Sequence, residues 1–345
     1  MMWFQTLLAR LRSLFFPSPS GTPMSTPTPF VNLAGWQIYN PPFHLDQTRC
    51  FGYWVKGDRQ RLQSSLDAYL NAGLPDNIYY CALTGQVLAA VVDIGHLSCV
   101  NPPQCDEGWL EEVDFAFFAL VVRLEKCGPL WLPRKLALAP LFLFVDNPLA
   151  VMGGREVFGY PKSQGKIQLP SPDGEMPLAI TTYTLPTFTK QTQLKLEQII
   201  TIQADAPPAP PSTVWQSADE WLHALINHAV EGVAEVMLPE VETVVKWAEH
   251  LSSSQVSFVF RKQFPDATNP LNACYSALIE APLQVTAFRG GGIIAGPHTL
   301  NIANCASLQI AQFFGLPCEP IRVELAFHTD ADFLVELGTV VHQIT

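Results

Sequence analysis

Apolar positions in this chain come mostly in short runs punctuated by Gly and Pro, which is the pattern of strands, and few stretches keep the period of a helix. The run Arg49-Cys50-Phe51-Gly52-Tyr53-Trp54-Val55 favours a strand. Asp58 to Leu70 then spaces Leu62, Leu66 and Leu70 four apart, which predicts a helix with Asp58 as N-cap. Ile78 to Leu97 predicts two strands joined at Thr84-Gly85-Gln86, and Phe115 to Leu124 predicts another. The strongly apolar Leu136 to Val145 reads as a buried strand pair ending in an Asp146-Asn147-Pro148 turn. Further strands are predicted at Lys166–Leu169, Leu178–Thr184, Gln193–Gln203, Ala277–Phe288 and Ile321–Leu337. The triplet Gly290-Gly291-Gly292 reads as a turn or bulge, because no Gly-Lys-Ser/Thr follows to make a phosphate loop.

Helical spacing returns twice. After an Ala-Pro-rich break at 204–211, Ser217 to Leu251 places Trp221, Leu225, Ala229, Val233, Val236 and Val244 in period, with Ser217 capping and Pro239 interrupting. Met1 to Phe16 sets Phe4, Leu7, Leu8, Leu11 and Leu14 against Arg10 and Arg12, a short amphipathic basic helix. It is read as a dispensable tail, against an interfacial membrane contact or a targeting segment. Pro17 to Pro29 is a flexible-to-extended linker. These patterns predict a tail at 1–29 and a folded domain at 30–345, interrupted by a helical insertion at 204–251. An antiparallel barrel or sandwich with flanking helices is the expected architecture.

Composition narrows the function classes. A net charge of −11, from 20 Lys plus Arg against 31 Asp plus Glu, argues against a nucleic-acid partner, since phosphate neutralisation needs clustered cations. No run approaches the ~18 to 20 apolar residues that span a bilayer. The eight cysteines form no Cys-x-x-Cys pair and read as reduced thiols of a cytoplasmic protein. The eight histidines form no His-Glu-x-x-His, so no metal site is expected.

Chemistry concentrates in Gly154-Arg155-Glu156-Val157-Phe158-Gly159-Tyr160-Pro161-Lys162, where a scarce lysine follows two aromatic residues and a proline. A lysine in such company either snorkels to the surface or is a chemically tuned amine. The run resembles the active-site signature of the acetoacetate decarboxylase family, and Leu143-Phe144-Val145-Asp146-Asn147 resembles the family's approach to it. The resemblance covers most of 30–345 outside the insertion. It implies a closed, cone-like antiparallel β-barrel, a large homo-oligomer, no cofactor, and a small-molecule keto acid as partner. It also implies that Lys162 forms a Schiff base. One departure stands out: the family has two adjacent lysines, whereas Ser163 follows Lys162 here.

The resemblance brings further candidates into the pocket. Arg49 occupies the place of an arginine that reaches it, and Asp93 and Asp114 are the nearest acids to the family's glutamates. Phe115 stands where a glutamate is expected. Phe158, Tyr160 and Ser163 are candidate pocket neighbours of the amine, with Arg155 and Glu156 as supporting scaffold.

A free lysine titrates near ~10.4, so only about one in 2,500 is neutral at pH 7. Attack on a ketone needs the neutral form. With Ser163 replacing a second lysine, burial beside Phe158 and Tyr160, with Arg49 or Arg155, is expected to lower the pKa. The protonated imine would then drive decarboxylation of an acetoacetate-like β-keto acid. Aldol or dehydration chemistry on an α-keto acid, or a barrel that binds an apolar keto compound without turnover, are the alternatives.

Overall fold

Alternating and near-continuous apolar runs produce long strands, and the computed structural model, which describes residues 30–31, 39–171, 176–207, 213–230 and 256–344, is mainly β. The chain divides into two units, Met1–Trp36 and Gln37–Thr345. The tail and linker readings of residues 1–29 lie outside the described residues. Among the described residues, all the strands and helices belong to the second unit.

Its strands in chain order are β1 (Phe43–Lys56), β2 (Ile78–Cys99), β3 (Leu110–Cys127), β4 (Leu130–Val145), β5 (Lys162–Gln164), β6 (Lys166–Gln168), β7 (Leu178–Thr184) and β8 (Lys195–Ala204). Then come β9 (Val214–Trp215), β10 (Ser257–Pro265), β11 (Ala273–Ile294), β12 (His298–Ile302), β13 (Ile321–Arg322), β14 (Leu325–Val335) and β15 (Thr339–Gln343). Among the described residues four α-helices join them: α1 (Arg59–Leu66), α2 (Pro148–Gly153), α3 (Ala218–Val230) and α4 (Ile310–Phe314).

The larger sheet runs β10-β11-β14-β1-β2-β3-β4-β5, with β9 and β15 attached to β11. Its return contact pairs β10 with β4 through Ser257↔Ala137 and Phe258↔Leu138 only, and in parallel. The β4–β5 pairing is parallel too. The sheet is therefore a ring of mixed pairings, where a closed and wholly antiparallel barrel was expected. A second sheet, β13-β12-β8-β7-β6, is separate in its strand pairing.

Both faces of the large sheet are covered along the middle of β2, β3 and β4, which is why those strands carry apolar residues on both sides there. On β2, Val87, Ala89 and Val91 join Leu178, Ile180, Ile200 and Ile202 of the smaller sheet, and Leu62, Leu66 and Phe314 of α1 and α4, in one core. The alternate residues Leu88, Ala90 and Val92 face the other way, into a cavity. Helix α3 contributes to that inner side: Trp221, Ile226 and Ala229 pack against Leu88, Phe327 and Phe333. Helix α3 starts where its capping residues predict, with Ser217 Oγ accepting from Glu220 N at 3.2 Å and Glu220 Oε2 accepting from Gln216 N at 2.7 Å. The remainder of the predicted helix, 231–251, lies outside the described residues.

Two sequence readings change. Thr84-Gly85-Gln86 does not turn the chain: β2 runs through it as a single strand, with a register shift between Ala82 and Val87. Gly85 is needed for close approach, since its carbonyl accepts from Gly57 N at 2.9 Å and an added Cβ would stand 2.7 Å from Gly57 O. Leu136 to Val145 likewise belongs to one strand, β4, bulged at Phe142. There Phe117 pairs with Leu141 but Phe115 with Phe144, and Phe142 adopts φ 51°. The bulge expected at the glycine triplet is present, as a register shift between Phe288 and Gly290.

Candidate active site

Two hydrogen-bonding devices bring the chemistry-bearing residues together. In the first, the turn after β4 clamps the start of β3. Asp146 Oδ1 accepts from Val113 N at 2.8 Å, and Asn147 Nδ2 donates to Glu111 O at 2.9 Å. Asn147 also N-caps α2, accepting from Leu149 N at 3.0 Å. The residues flanking Glu112 are thereby tied to the turn that leads to the lysine.

In the second, α2 runs into a wider π-type turn at Gly154–Phe158 that ends on Gly159, with φ 88°. Gly154 O accepts from both Gly159 N and Tyr160 N, at 3.0 and 3.1 Å. Lys162 then enters β5 opposite Leu143. Gly154 must be glycine for close approach, because an added Cβ would lie 2.6 Å from Lys162 Cδ and 2.9 Å from its Cε. Arg155 donates from Nη1 to Lys162 O at 2.9 Å and so holds the backbone of the lysine.

Lys162 is 7% exposed and lines a cavity of about 220 Å³. Its amine faces two carboxylates, with Nζ 3.3 Å from Asp114 Oδ2 and 3.7 Å from Glu112 Oε1. Glu112 and Asp114 are two apart on β3 and so project to the same side. Ala116 and Phe118 continue that side along the cavity, while Phe115 and Phe117 turn to the other core. The β4 bulge completes the lining: it brings Leu143 to the cavity and sends Phe142 out against Phe313 and Phe314. Tyr160 caps the amine, its ring centroid 5.8 Å from Nζ, and packs against Phe158 and Phe260.

The electrostatics differ from a lysine made neutral by burial. Burial does pull the Lys162 amine down, but the Asp114 and Glu112 carboxylates outweigh it and hold the amine above its ordinary value. Burial and the neighbouring Asp114 push Glu112 up to about 8, against the lowering pull of Lys162. Asp114 is also raised, by burial. Burial and the two acids hold the Tyr160 phenol well above its usual range. At neutral pH Glu112 therefore keeps its proton beside the Lys162 ammonium. Each acid keeps one buried oxygen, Glu112 Oε2 and Asp114 Oδ1, without a hydrogen-bond partner.

The candidates named from the sequence separate accordingly. Lys162, Asp114, Tyr160 and Phe158 line the cavity. Arg49 and Asp93 are outside its lining and pair with each other across β1 and β2 at 2.5 Å, with 58% of the arginine side chain exposed. Ser163 alternates with Lys162 along β5 and is likewise outside the lining. Glu156 is exposed. Glu112 was missed. Its signal was present in Glu112-Val113-Asp114, since period-two spacing puts both acids on one face. Among the described residues no group of His, Cys, Asp and Glu is arranged to hold a metal, and no helix is long and apolar enough to cross a membrane.

No protein-family model and no curated relative matches the sequence. Solved structures do. The chain is similar to acetoacetate decarboxylase from Legionella pneumophila, with 15% identity and a TM-score of 0.56 over 93% of this chain and 94% of that one. It is similar to a second acetoacetate decarboxylase structure, with 14% identity and a TM-score of 0.52 over 94% and 96%. It is also similar to the enduracididine biosynthesis enzyme MppR, with 11% identity and a TM-score of 0.50 over 93% and 97%. At these identities the shared property is the fold.

Proposed function

We propose that this protein is a lyase that works through a Schiff base on Lys162. The observation that carries the reading is a buried amine in a largely apolar cavity with two carboxylates within 3.3 and 3.7 Å of Nζ. The fold shared with acetoacetate decarboxylase supports it. Lys162 passes a proton to Asp114 and attacks the carbonyl carbon as a neutral amine. The carbinolamine hydroxyl takes a proton from Glu112 or Asp114 and leaves as water, and the protonated imine becomes the electron sink. This route needs no globally depressed lysine pKa, because the proton moves within the site.

Decarboxylation of an acetoacetate-like β-keto acid is the outcome the fold suggests. The alternative, aldol or dehydration chemistry, is favoured by a specific observation: two carboxylates flank the amine, with raised pKa values that suit them to move protons at the carbon beside the imine. The test is reductive trapping with cyanoborohydride across a panel of carbonyl compounds, followed by mass spectrometry. Adducts should map to Lys162 and vanish in Lys162→Ala; undiminished labelling of that variant would assign the amine elsewhere. Release of carbon dioxide then separates decarboxylation from the other outcomes.

A further inference from the structure

The cavity also speaks to what the imine is made from. On the reading that Lys162 forms an imine, we infer that the substrate is a neutral, apolar carbonyl compound, a ketone or aldehyde with a hydrocarbon tail and no carboxylate, which selects aldol or dehydration chemistry at the imine over decarboxylation. In an α- or β-keto acid the carboxylate lies next to the carbonyl carbon or one carbon away. Once the carbonyl reaches Nζ, that carboxylate must sit beside Asp114 and Glu112. No cation waits there to receive it among the described residues.

Among the described residues each nearby cation is occupied elsewhere. Lys162, the only Lys or Arg among the described lining residues, is already shared between the two acids. Arg155 holds the Lys162 carbonyl, and Arg49 pairs with Asp93 outside the cavity. Arg261 donates to the carbonyls of Tyr69, Leu70 and Ala72. Arg289 pairs with Asp332 and Lys262 donates to Val157 O. A buried anion with no partner is strongly disfavoured.

Away from the three ionisable groups the wall is built for hydrocarbon. It includes Leu88, Ala90 and Phe118 of β2 and β3, Phe258 of β10, and Trp221 and Leu225 of α3. An aliphatic tail gains by leaving water for such a wall. The covalent step stays balanced for a simple ketone: the amine nitrogen bonds to the carbonyl carbon, the carbonyl oxygen leaves as water, and the ammonium charge ends on the iminium. No oxidant, reductant or cofactor enters.

The experiment compares methyl heptyl ketone, acetoacetate and pyruvate as cyanoborohydride-trapping partners of the full chain, with adducts located by peptide mapping. The expected result is an adduct on Lys162 whose half-maximal concentration is roughly tenfold or more lower for methyl heptyl ketone than for either acid. A smaller preference, or trapping of either acid at equal or lower concentration, overturns this substrate class while leaving the Schiff-base reading in place. Failure of all three to label Lys162 overturns that reading and this inference with it.

Discussion

Glu112 sets the pH behaviour of the site. Its carboxyl is pushed up to about 8 by burial and by Asp114, whereas in the unfolded chain it titrates near ~4.3. The folded protein therefore holds a proton that the unfolded chain has lost between these values. Its contribution to stability is complete below the lower value and declines as pH rises through the upper one. Thermal unfolding should show a midpoint that falls from about pH 5 to about pH 8, and Glu112→Gln should flatten that slope. The rate of imine trapping should lose its alkaline limb near 8 in the same variant; an unchanged profile would place that titration on another group. Gly154 offers a cleaner probe of geometry, because its backbone at φ −62° and ψ −39° accepts alanine. Only the added Cβ intrudes, on Lys162 Cδ and Cε. Gly154→Ala should keep the fold, measured by circular dichroism, while slowing trapping about a hundredfold, the cost of displacing a reacting group by about 1 Å.

Among the elements, the turn between β4 and α2 and the bulge in β4 decide where the side chains point. Asn147 alone caps a helix and ties down the backbone next to Glu112. Asn147→Ala should cost about 1 kcal/mol in a denaturant melt through loss of the cap. It should also shift the pH profile of trapping, because Glu112 loses its fixed neighbour; a stability loss with no change in profile would reduce Asn147 to a cap. At Phe142 the bulge changes which residues of β4 face inward. Without it, Leu143 and Leu138 would lie on opposite faces of the same strand, given the two-residue period. The apolar run Leu136–Val145 gives no hint of this, since this stretch of β4 is covered on both faces and is apolar throughout.

Across the whole molecule, helix α3 belongs to the cavity. Trp221 of α3 packs its ring against Phe288, Phe327 and Phe333 and lines the same space as Lys162. Trp221→Ala should destabilise the protein by about 3–5 kcal/mol, seen as a lower denaturant midpoint. It should also weaken trapping of a hydrocarbon ketone more than trapping of pyruvate, which is too short to use that wall. Equal losses for both would mean that α3 only supports the fold.

What the sequence determined by itself was local or carried by a contiguous motif. Alternation and Gly/Pro punctuation specified strands, Asp58 and Ser217 marked helix starts, and the run from Gly154 to Lys162 singled out the amine. Such features need no more than backbone geometry and the nearest neighbours. The tertiary structure decided everything that depends on which strands lie side by side. It set Arg49 against Asp93 instead of against the amine, and turned Ser163 away by strand alternation. It also delivered Glu112 and Asp114 to Lys162 from some fifty positions earlier in the chain. The charge state followed from that meeting. Burial alone would have lowered the lysine pKa, but two acids brought within 4 Å by sheet pairing raise it, and Coulombic interaction depends on distance in space rather than separation along the chain.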